Sequence, residues 1–436
     1  APARGFRGRR VVTVAVIVGL LAVLLLIGMP IGFAMGLAGV VGIYWVGGID
    51  SLMGIVAVTP YRQSSSWILT AIPLFVLMAE MLSSSRITSD LFAAMNKWVG
   101  HLPGGLAIAG VLAAAGLGAV SGSSTAATAA LSKSVAPELL RAGYSRGLAI
   151  GSVASAGTLA IMIPPSVIMV IYGILTETSV GMLFVAGIVP GAITICAYAA
   201  TVVIWAKYVP GAAPRTARHG WGERFLSLRA VWPMMVLFAL VIGGLYSGIV
   251  TVTESAAVGA SGAIVLAFWF MRRKGWPALK EALARTAATT AMIFTIIIGA
   301  HLFGYFMTLT GSPQALLSYV DGLGVAPWIV FAVMIAIYVF LGCFMDQLAI
   351  LVLTLPIVFP MVLRFGYDPI WFGIILTKTV EIGLITPPLG MNCFVASSIS
   401  KIPLSQVFRG VLPFIGAEIV TIALLIALPQ IVLWVR

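Results

Sequence analysis

Long apolar runs separated by short polar loops dominate this chain. Runs of about 20 apolar residues recur from Val11 to the C-terminal end, which is the length that an α-helix needs to cross the hydrocarbon core of a bilayer. A chain segment inside a bilayer must satisfy its own backbone hydrogen bonds, and helices do so within one segment. The pattern therefore predicts an all-α polytopic membrane protein of about a dozen hydrophobic segments.

Several glycine and proline residues, and one tyrosine, in the first part of the chain recur 223 positions later, and no gap is needed to align them. The matched positions are Gly143-Tyr144 with Gly366-Tyr367, Pro164-Pro165 with Pro387-Pro388, Gly187 with Gly410, and Pro190 with Pro413. Self-similarity at one fixed offset is the sequence signature of an internal structural repeat. We therefore predict two related halves.

Each predicted half contains the same elements in the same order. An apolar helix (67–83 and 287–310) precedes a hairpin (104–140 and 327–363), then a span interrupted by Pro-Pro (147–175 and 370–398), then a final helix. Small or polar residues occupy the middle of each hairpin, between two apolar arms that we expect to be of half-span length. Such a polar tip is typical of a re-entrant hairpin, in which non-helical backbone lines a cavity or is buried in protein. The predicted organisation is N-terminal scaffold helices in 1–66, a first repeat in 67–206, a basic loop with scaffold helices (231–271) and a connecting segment in 207–286, and a second repeat in 287–436.

Loop charges predict that the two repeats are inverted. The cations lie in the loops 207–230 (Lys207, Arg215, Arg218, Arg224, Arg229) and 272–285 (Arg272, Arg273, Lys274, Lys280, Arg285), and around the first hairpin (Arg86, Lys97, Lys133, Arg141, Arg146). The second hairpin has little beyond Arg364. Because cytoplasmic loops are enriched in Lys and Arg, the hairpins should enter from opposite sides, as in alternating-access transporters. The N-terminal arginines (Arg4, Arg7, Arg9, Arg10) do not fit this orientation.

Composition supports a membrane protein and argues against a nucleic-acid partner. Hydrophobic residues make up 61% of the 436 residues and charged residues only 9%, whereas a soluble domain has about 25% charged residues. The net charge of +12 comes from loop cations, which is the positive-inside signal. The three cysteines lie in apolar stretches, so neither a disulfide framework nor a metal cluster is indicated.

The two hairpin tips carry the candidate chemistry. The first tip, Ser121–Thr125, combines hydroxyl groups with small residues. Its unwound backbone could coordinate a cation, or its small residues could simply allow close helix packing. Asp346 falls on Ser123 at the repeat offset and is an intramembrane carboxylate, expected either to coordinate a cation or to hydrogen-bond the turn. Lys378 and Glu381 are one helical turn apart, which favours a structural ion pair over an anion contact by Lys378.

A different class of function, a rhomboid-like intramembrane protease, would use Ser261 in Gly259–Gly262 as nucleophile and His301 in Ala300–Gly304 as base. Both strings are short and consist of residues that are abundant here. The helix that completes the rhomboid site is absent from the sequence. We therefore expect no enzymatic activity.

The stretches 72–88, 121–131, 157–166, 251–260, 368–374 and 381–392 together resemble the large membrane (M) subunit of tripartite ATP-independent periplasmic (TRAP) transporters. The resemblance extends through both halves. It implies an elevator-type, sodium-driven importer in the bacterial inner membrane, with Na⁺ as its coupling ion. It also implies a small membrane (Q) subunit, a periplasmic substrate-binding (P) protein, and carboxylate substrates such as C4-dicarboxylates or sialic acid. A stand-alone sodium/anion symporter of related architecture is the alternative transporter.

The resemblance also implies site residues. The first sodium set would comprise Ser121, Gly122, Ser123, Ser124 and Thr125 with Gly157, Thr158, Pro164 and Pro165. The second set would comprise Gly342, Asp346, Gly383, Thr386, Pro387 and Pro388. Lys378 and Asn392 are possible substrate contacts, although Lys378 does not match a position of the family motif.

Overall fold

The structure, a computed structural model, describes residues 2–83, 87–214, 218–271 and 275–434, and this part of the chain is helical without strands. The helices are α1 (Pro2–Leu26), α2 (Ile31–Ser64), α3 (Ala71–Ser83), α4 (Ile87–Val99), α5 (Gly105–Ser121), α6 (Ser124–Ser134), α7 (Ala136–Arg141), α8 (Arg146–Ala156), α9 (Leu159–Met162), α10 (Val167–Leu175), α11 (Val180–Tyr208), α12 (Trp221–Tyr246), α13 (Val252–Met271), α14 (Gly275–Thr310), α15 (Ser312–Gly322), α16 (Pro327–Phe344), α17 (Gln347–Arg364), α18 (Pro369–Ile385), α19 (Met391–Ser400) and α20 (Leu404–Ala427).

Eight of the described helices are long and apolar enough to cross a membrane. A ninth span results if α8–α9 and α10, which are bent by 41° at the first Pro-Pro, are counted together. Shorter apolar helices lie at 12–26, 67–82 and 105–118. The arms of the second hairpin, α16 and α17, have 18 residues each and pass the same test. They are therefore longer than the half-span arms expected from the sequence.

The basic loops are shorter than the sequence predicts. Helix α12 begins at Trp221, inside the segment 207–230, and α14 begins at Gly275, inside 272–285. Polar side chains are compatible with helix where a span emerges from the apolar region, so charge alone did not locate these helix ends. Among the cations used to predict orientation, Arg86, Arg215, Arg272, Arg273 and Lys274 lie outside the described residues. The side chains of Arg4, Arg7, Arg9 and Arg10 do as well.

The chain divides into two compact units that are discontinuous in sequence. The first comprises 1–70, 287–334 and 348–369, and the second comprises 71–286, 335–347 and 370–436. In the first unit, α2 and α14 approach closely at Gly32 and Gly39. A Cβ on Gly32 would lie 2.8 Å from the Ile296 nitrogen, and one on Gly39 would lie 2.7 Å from the Phe303 nitrogen. Small residues allow such backbone contact where hydrophobic burial gives membrane helices little drive to associate.

The second unit contains all of the residues that were predicted to contact sodium or substrate. Its α8 and α20 also meet through glycines, since a Cβ on Gly410 would lie 3.2 Å from the Gly151 Cα and collide with the Gly147 carbonyl. Gly147 and Gly151 are one turn apart, as in the small-xxx-small pattern of membrane helix pairs. The broken span of the first half is thereby held directly against the last helix of the second half.

Helix boundaries recur at the offset of 223 residues. Helix α5 ends at Ser121 and α16 at Phe344, α6 begins at Ser124 and α17 at Gln347, and α8 begins at Arg146 and α18 at Pro369. The Pro164-Pro165 and Pro387-Pro388 peptide bonds are both cis. The halves differ at Gly157-Thr158, which separates α8 from α9, because α18 runs uninterrupted through the equivalent positions Val380 and Glu381.

A buried tyrosine fixes the base of the first hairpin. The Tyr144 hydroxyl, between α7 and α8, accepts a hydrogen bond from the Leu106 backbone N–H in the first turn of α5, at 3.2 Å. Burial raises the pKa of Tyr144 above its usual value, so the hydroxyl stays protonated at neutral pH. The contact joins the start of the first arm to the chain that follows the second arm, and this limits where the tip can lie.

An ion cluster lies in the core of the second unit. Lys378 and Glu381 on α18 and Glu418 on α20 are all 0% exposed. The Lys378 Nζ lies 2.6 Å from Glu381 Oε2 and 2.7 Å from Glu418 Oε2. Tyr198 on α11 donates a hydrogen bond to Glu418, and its oxygen lies 3.2 Å from the Thr158 Oγ1. The cluster therefore connects both broken spans, α11 and α20 through one buried polar network.

Removing the ammonium group should destabilise the protein strongly. Lys378→Met would leave two carboxylates facing each other without a cation, and breaking a buried ion pair costs about 3–5 kcal/mol. We expect a large fall in Tm, measured by scanning fluorimetry on detergent-purified protein, together with a loss of the monodisperse fraction.

The Arg141–Glu138 pair provides a matched control. It spans 2.6 Å, with side chains 75% and 49% exposed. Because exposed pairs contribute about 0–1 kcal/mol, Arg141→Met should leave Tm nearly unchanged. Equal Tm values for the Lys378→Met and Arg141→Met variants would show that the buried cluster does not stabilise the fold.

Candidate functional site

Apart from Lys378, which lies inside α18, the predicted site residues lie at or next to four helix interruptions in the second unit. Two are the hairpin tips, between α5 and α6 and between α16 and α17. The other two are the breaks in the spans that follow, between α8 and α10 and between α18 and α19. At each interruption, backbone N–H and C=O groups lose their helical partners and need others.

The first tip reverses the chain over two residues. Gly122 takes the left-handed conformation (φ +56°), and Ser123 is the N-cap of α6, accepting a hydrogen bond from the Ala126 backbone N–H at 3.4 Å. The Ser123 and Thr125 hydroxyls lie 3.3 Å apart. Ser121 ends α5, and the buried Ser124 begins α6. The tip thus gathers hydroxyl oxygens beside the free backbone ends of two helices.

The first tip packs against the first break. A Cβ on Gly122 would lie 3.0 Å from the Pro165 carbonyl oxygen. A Cβ on Gly157 would lie 2.9 Å from the Cβ of Thr128, one turn into α6. Pro164 and Pro165 are buried and Thr158 is 0% exposed. The tip and the break of the first half therefore pack against each other, and the residues between them are buried or half-buried.

The second tip packs against the second break in the same way. A Cβ on Gly342 would lie 2.8 Å from the Gly383 Cα, so no larger residue fits either position without backbone movement. The Gly390 N–H, after the break, donates to the Cys343 carbonyl at 3.3 Å. Asp346 directly precedes α17 and is half-buried. At this position it can also act as a helix N-cap.

The proline pair of the second break is more exposed than the proline pair of the first. The Thr386 hydroxyl donates to the Ile382 carbonyl at 2.5 Å. Pro387 and Pro388 are exposed, in contrast to Pro164 and Pro165. The two breaks therefore share a sequence pattern and differ in their surroundings.

One hydrogen bond joins the two halves of the site. The Asn392 Nδ2, at the start of α19, donates to the Ser124 Oγ of the first tip at 2.6 Å, and both residues are 0% exposed. The Asn392 Oδ1 has no hydrogen-bond partner among the described residues. Lys378, the other predicted substrate contact, lies in the ion cluster with both neighbouring carboxylates.

The sequence did not predict several buried side-chain oxygens around the site. The side-chain oxygens of Thr128, Ser155, Ser166 and Gln347 are buried and have no hydrogen-bond partner among the described residues. A buried polar group without a partner costs about 1–3 kcal/mol, so such oxygens favour a polar ligand. Their positions in the sequence could have identified three of them. Thr128 is one turn from Ser124, Ser166 follows Pro164-Pro165, and Ser155 occupies the repeat position of Lys378.

Comparison with known proteins places this architecture in a family. The family model described as the tripartite ATP-independent periplasmic transporter, DctM component, matches residues 18–431. The chain is 37% identical to the C4-dicarboxylate TRAP transporter large permease protein DctM of Pseudomonas aeruginosa, over 86% of this chain and 87% of that protein. It is 33% identical to the ectoine TRAP transporter large permease protein TeaC of Halomonas elongata, over 98% of both.

A solved structure has a similar fold. The crystal structure of the Alcanivorax borkumensis YdaH transporter aligns with a TM-score of 0.61 at 13% sequence identity, covering 88% of this chain and 90% of that one. The likeness concerns the fold alone. The match of the family model over nearly the whole chain, together with relatives above 30% identity, shows that the chain belongs to the DctM-component family of tripartite ATP-independent periplasmic transporters.

Proposed function

We propose that this chain is the transport subunit of a sodium-driven importer for small organic acids. The observation that carries the proposal is that, in each half, the hairpin tip packs against the break of the span that follows. Broken helices are where secondary transporters bind coupling ions and substrate, because freed carbonyls attract cations and helix N-termini attract anions. Both kinds of group lie at the interruptions described here.

Sodium suits these interruptions because the groups that gather there are oxygens. Hydroxyl oxygens of Ser123 and Thr125 lie at the first tip, and the buried hydroxyl oxygens of Thr128 on α6 and Ser155 on α8 have no hydrogen-bond partner among the described residues. A bound Na⁺ would satisfy such oxygens and the free carbonyls around them. Asp346 would supply a negative charge at the second tip, where a carboxylate is costly unless a cation or polar group compensates it.

The recurrence of helix boundaries at one offset supports two structural repeats, and we propose that these repeats are inverted and work by an elevator mechanism. In this proposal the two hairpins and the two broken spans move together, carrying ions and substrate across the membrane. The hydrogen bond between Asn392 and Ser124 and the ion cluster on α18 and α20 support such joint movement, because they tie elements of both halves together. The loop cations favour hairpins that enter from opposite sides.

The names of relatives support the proposed substrate class and partners. Relatives are named for transport of C4-dicarboxylates, of ectoine and, in Escherichia coli, of 2,3-diketo-L-gulonate. A relative from Oleidesulfovibrio alaskensis is named as an isethionate permease protein DctMQ, and this chain covers 65% of it. We propose that the present chain works in the bacterial inner membrane with a small Q subunit and a periplasmic binding protein that delivers a carboxylate.

Uptake should require both sodium and the binding protein. Proteoliposomes that contain this chain, its small subunit and the cognate binding protein should accumulate substrate in an inward sodium gradient. Accumulation should cease when potassium or choline replaces sodium, because the oxygen sites would lack their ion.

Two outcomes would contradict parts of this proposal. Undiminished uptake driven by a proton gradient without sodium would exclude sodium coupling. Full uptake without the binding protein would favour the stand-alone symporter instead.

The charge of Asp346, rather than its shape, should determine sodium affinity. Asp346→Asn preserves the size and the capping oxygen but removes the charge. Because a charge-assisted contact contributes about 1.5–3 kcal/mol, we expect the half-saturating sodium concentration for uptake to rise about tenfold or more, with partial recovery at high sodium.

Asp321→Asn is the matched control, since Asp321 is an exposed carboxylate 3.5 Å from Arg364. It should leave sodium dependence unchanged. If Asp346→Asn also leaves both the rate and the half-saturating concentration unchanged, Asp346 is a helix cap and not an ion ligand.

A further inference from the structure

A cluster of aromatic and basic side chains marks the start of α12, apart from the four interruptions. Its members are Trp98, His101, Trp221, Arg224 and Phe225, which we call the α12 entry cluster. The Trp98 ring lies 6.4 Å from that of Trp221 and 5.6 Å from that of Phe225, edge to face in both cases. The Arg224 guanidinium lies 5.0 Å from the Trp221 ring, and its NH2 is 3.4 Å from the His101 Nδ1. Helix α4, which carries Trp98 and is followed by His101, packs against α12, which carries the other three residues.

Two N–H donors in this cluster have no acceptor in the part of the chain that the structure describes. The Arg224 Nε and the Trp98 Nε1 are buried atoms without a hydrogen-bond partner among the described residues. The neighbouring carboxylate, Glu223, instead pairs with His219 at 2.6 Å. Arg224 forms no ion pair with a described carboxylate. Buried donors without acceptors are costly, and an arginine fork matches an oxyanion with several oxygens.

The surroundings indicate where that oxyanion would come from. Helix α12 is a candidate membrane span that begins at Trp221, and Trp221 and Phe225 remain 66% and 61% exposed. Exposed tryptophans at the end of a span belong to the aromatic belt at the level of the lipid headgroups. Lys97 and Arg218 add positive charge nearby in the sequence. Basic pockets between helices at this level attract anionic lipid headgroups.

We propose that the α12 entry cluster binds the phosphate of an anionic phospholipid headgroup. Arg224 donates to the phosphate from its Nε while its guanidinium plane rests on Trp221, and Trp98 donates from its indole N–H. The exposed faces of Trp221 and Phe225 contact the glycerol and the first acyl carbons. This proposal does not depend on sodium coupling, because none of these residues belongs to the four interruptions.

Native mass spectrometry of the detergent-purified full chain tests the proposal directly. The protein is titrated with phosphatidylglycerol, with phosphatidylcholine, and with phosphatidylglycerol in the presence of inorganic phosphate. We expect phosphatidylglycerol to bind tighter than phosphatidylcholine, with competition by inorganic phosphate only at far higher concentration. Arg224→Gln should weaken phosphatidylglycerol binding about tenfold or more. Trp98→Phe, which keeps the ring but removes the donor, should weaken it several-fold.

Lys207→Gln provides the control, because Lys207 is an exposed cation that lies 5.9 Å from the Tyr208 ring outside the cluster. It makes the same charge change and should leave binding unchanged. Equal weakening by Arg224→Gln and Lys207→Gln would mean general attraction to a basic surface and would overturn the site. Equal affinity for the two lipids, or inorganic phosphate competing as well as the lipid, would overturn the headgroup assignment. Folding is checked by an unchanged Tm in each variant.

Discussion

The structure depends on one constraint: wherever a helix is interrupted inside the protein, its unpaired backbone N–H and C=O groups need new partners. A helix in hydrocarbon satisfies its own N–H and C=O groups, and each interruption frees several of them at once. Four helix interruptions among the described residues of the second unit form two tip-and-break pairs, and within each pair the tip packs against the break. The Gly122 backbone meets Pro165, Gly342 meets Gly383, and Gly390 donates to Cys343. Because the backbones at these contacts approach closely, only glycine fits there, and this explains why small residues are concentrated at the tips.

The ion cluster is subject to a related constraint, because buried charges also need partners. Two glutamates and one lysine are fully buried, which is costly unless the geometry satisfies them. Lys378 contacts both carboxylates, and Tyr198 donates to Glu418. Since Tyr198 also contacts Thr158, the interruption between α8 and α9 is tied to α18 and α20. Thr158 and Ser155 occupy the repeat positions of Glu381 and Lys378. The first half therefore has hydroxyl groups at the positions where the second half has charged groups.

The sequence predicted features that depend on local pattern. The 223-residue offset located both tips and both Pro-Pro breaks, because glycine and proline interrupt helices through their own backbone chemistry. The offset did not predict the hydrogen bond between Tyr198 and Glu418. These two residues are 220 positions apart along the chain and meet only through tertiary packing. The same holds for Asn392 and Ser124, which are 268 residues apart. The start of α12 was missed because its first residues are charged and aromatic, a composition shared by loops and by interfacial helix ends.

Hydrogen exchange in sodium, compared with potassium at equal ionic strength, tests most directly whether cations bind at the four interruptions. If they do, sodium should slow amide exchange in segments 121–128, 157–166, 342–347 and 383–392. Exchange in the loop between α1 and α2 should not change. This pattern is expected because a bound ion stabilises the closed conformation only where its ligands lie. Exchange that is identical in the two salts at these segments, or slowed equally along the whole chain, would contradict cation binding at the interruptions.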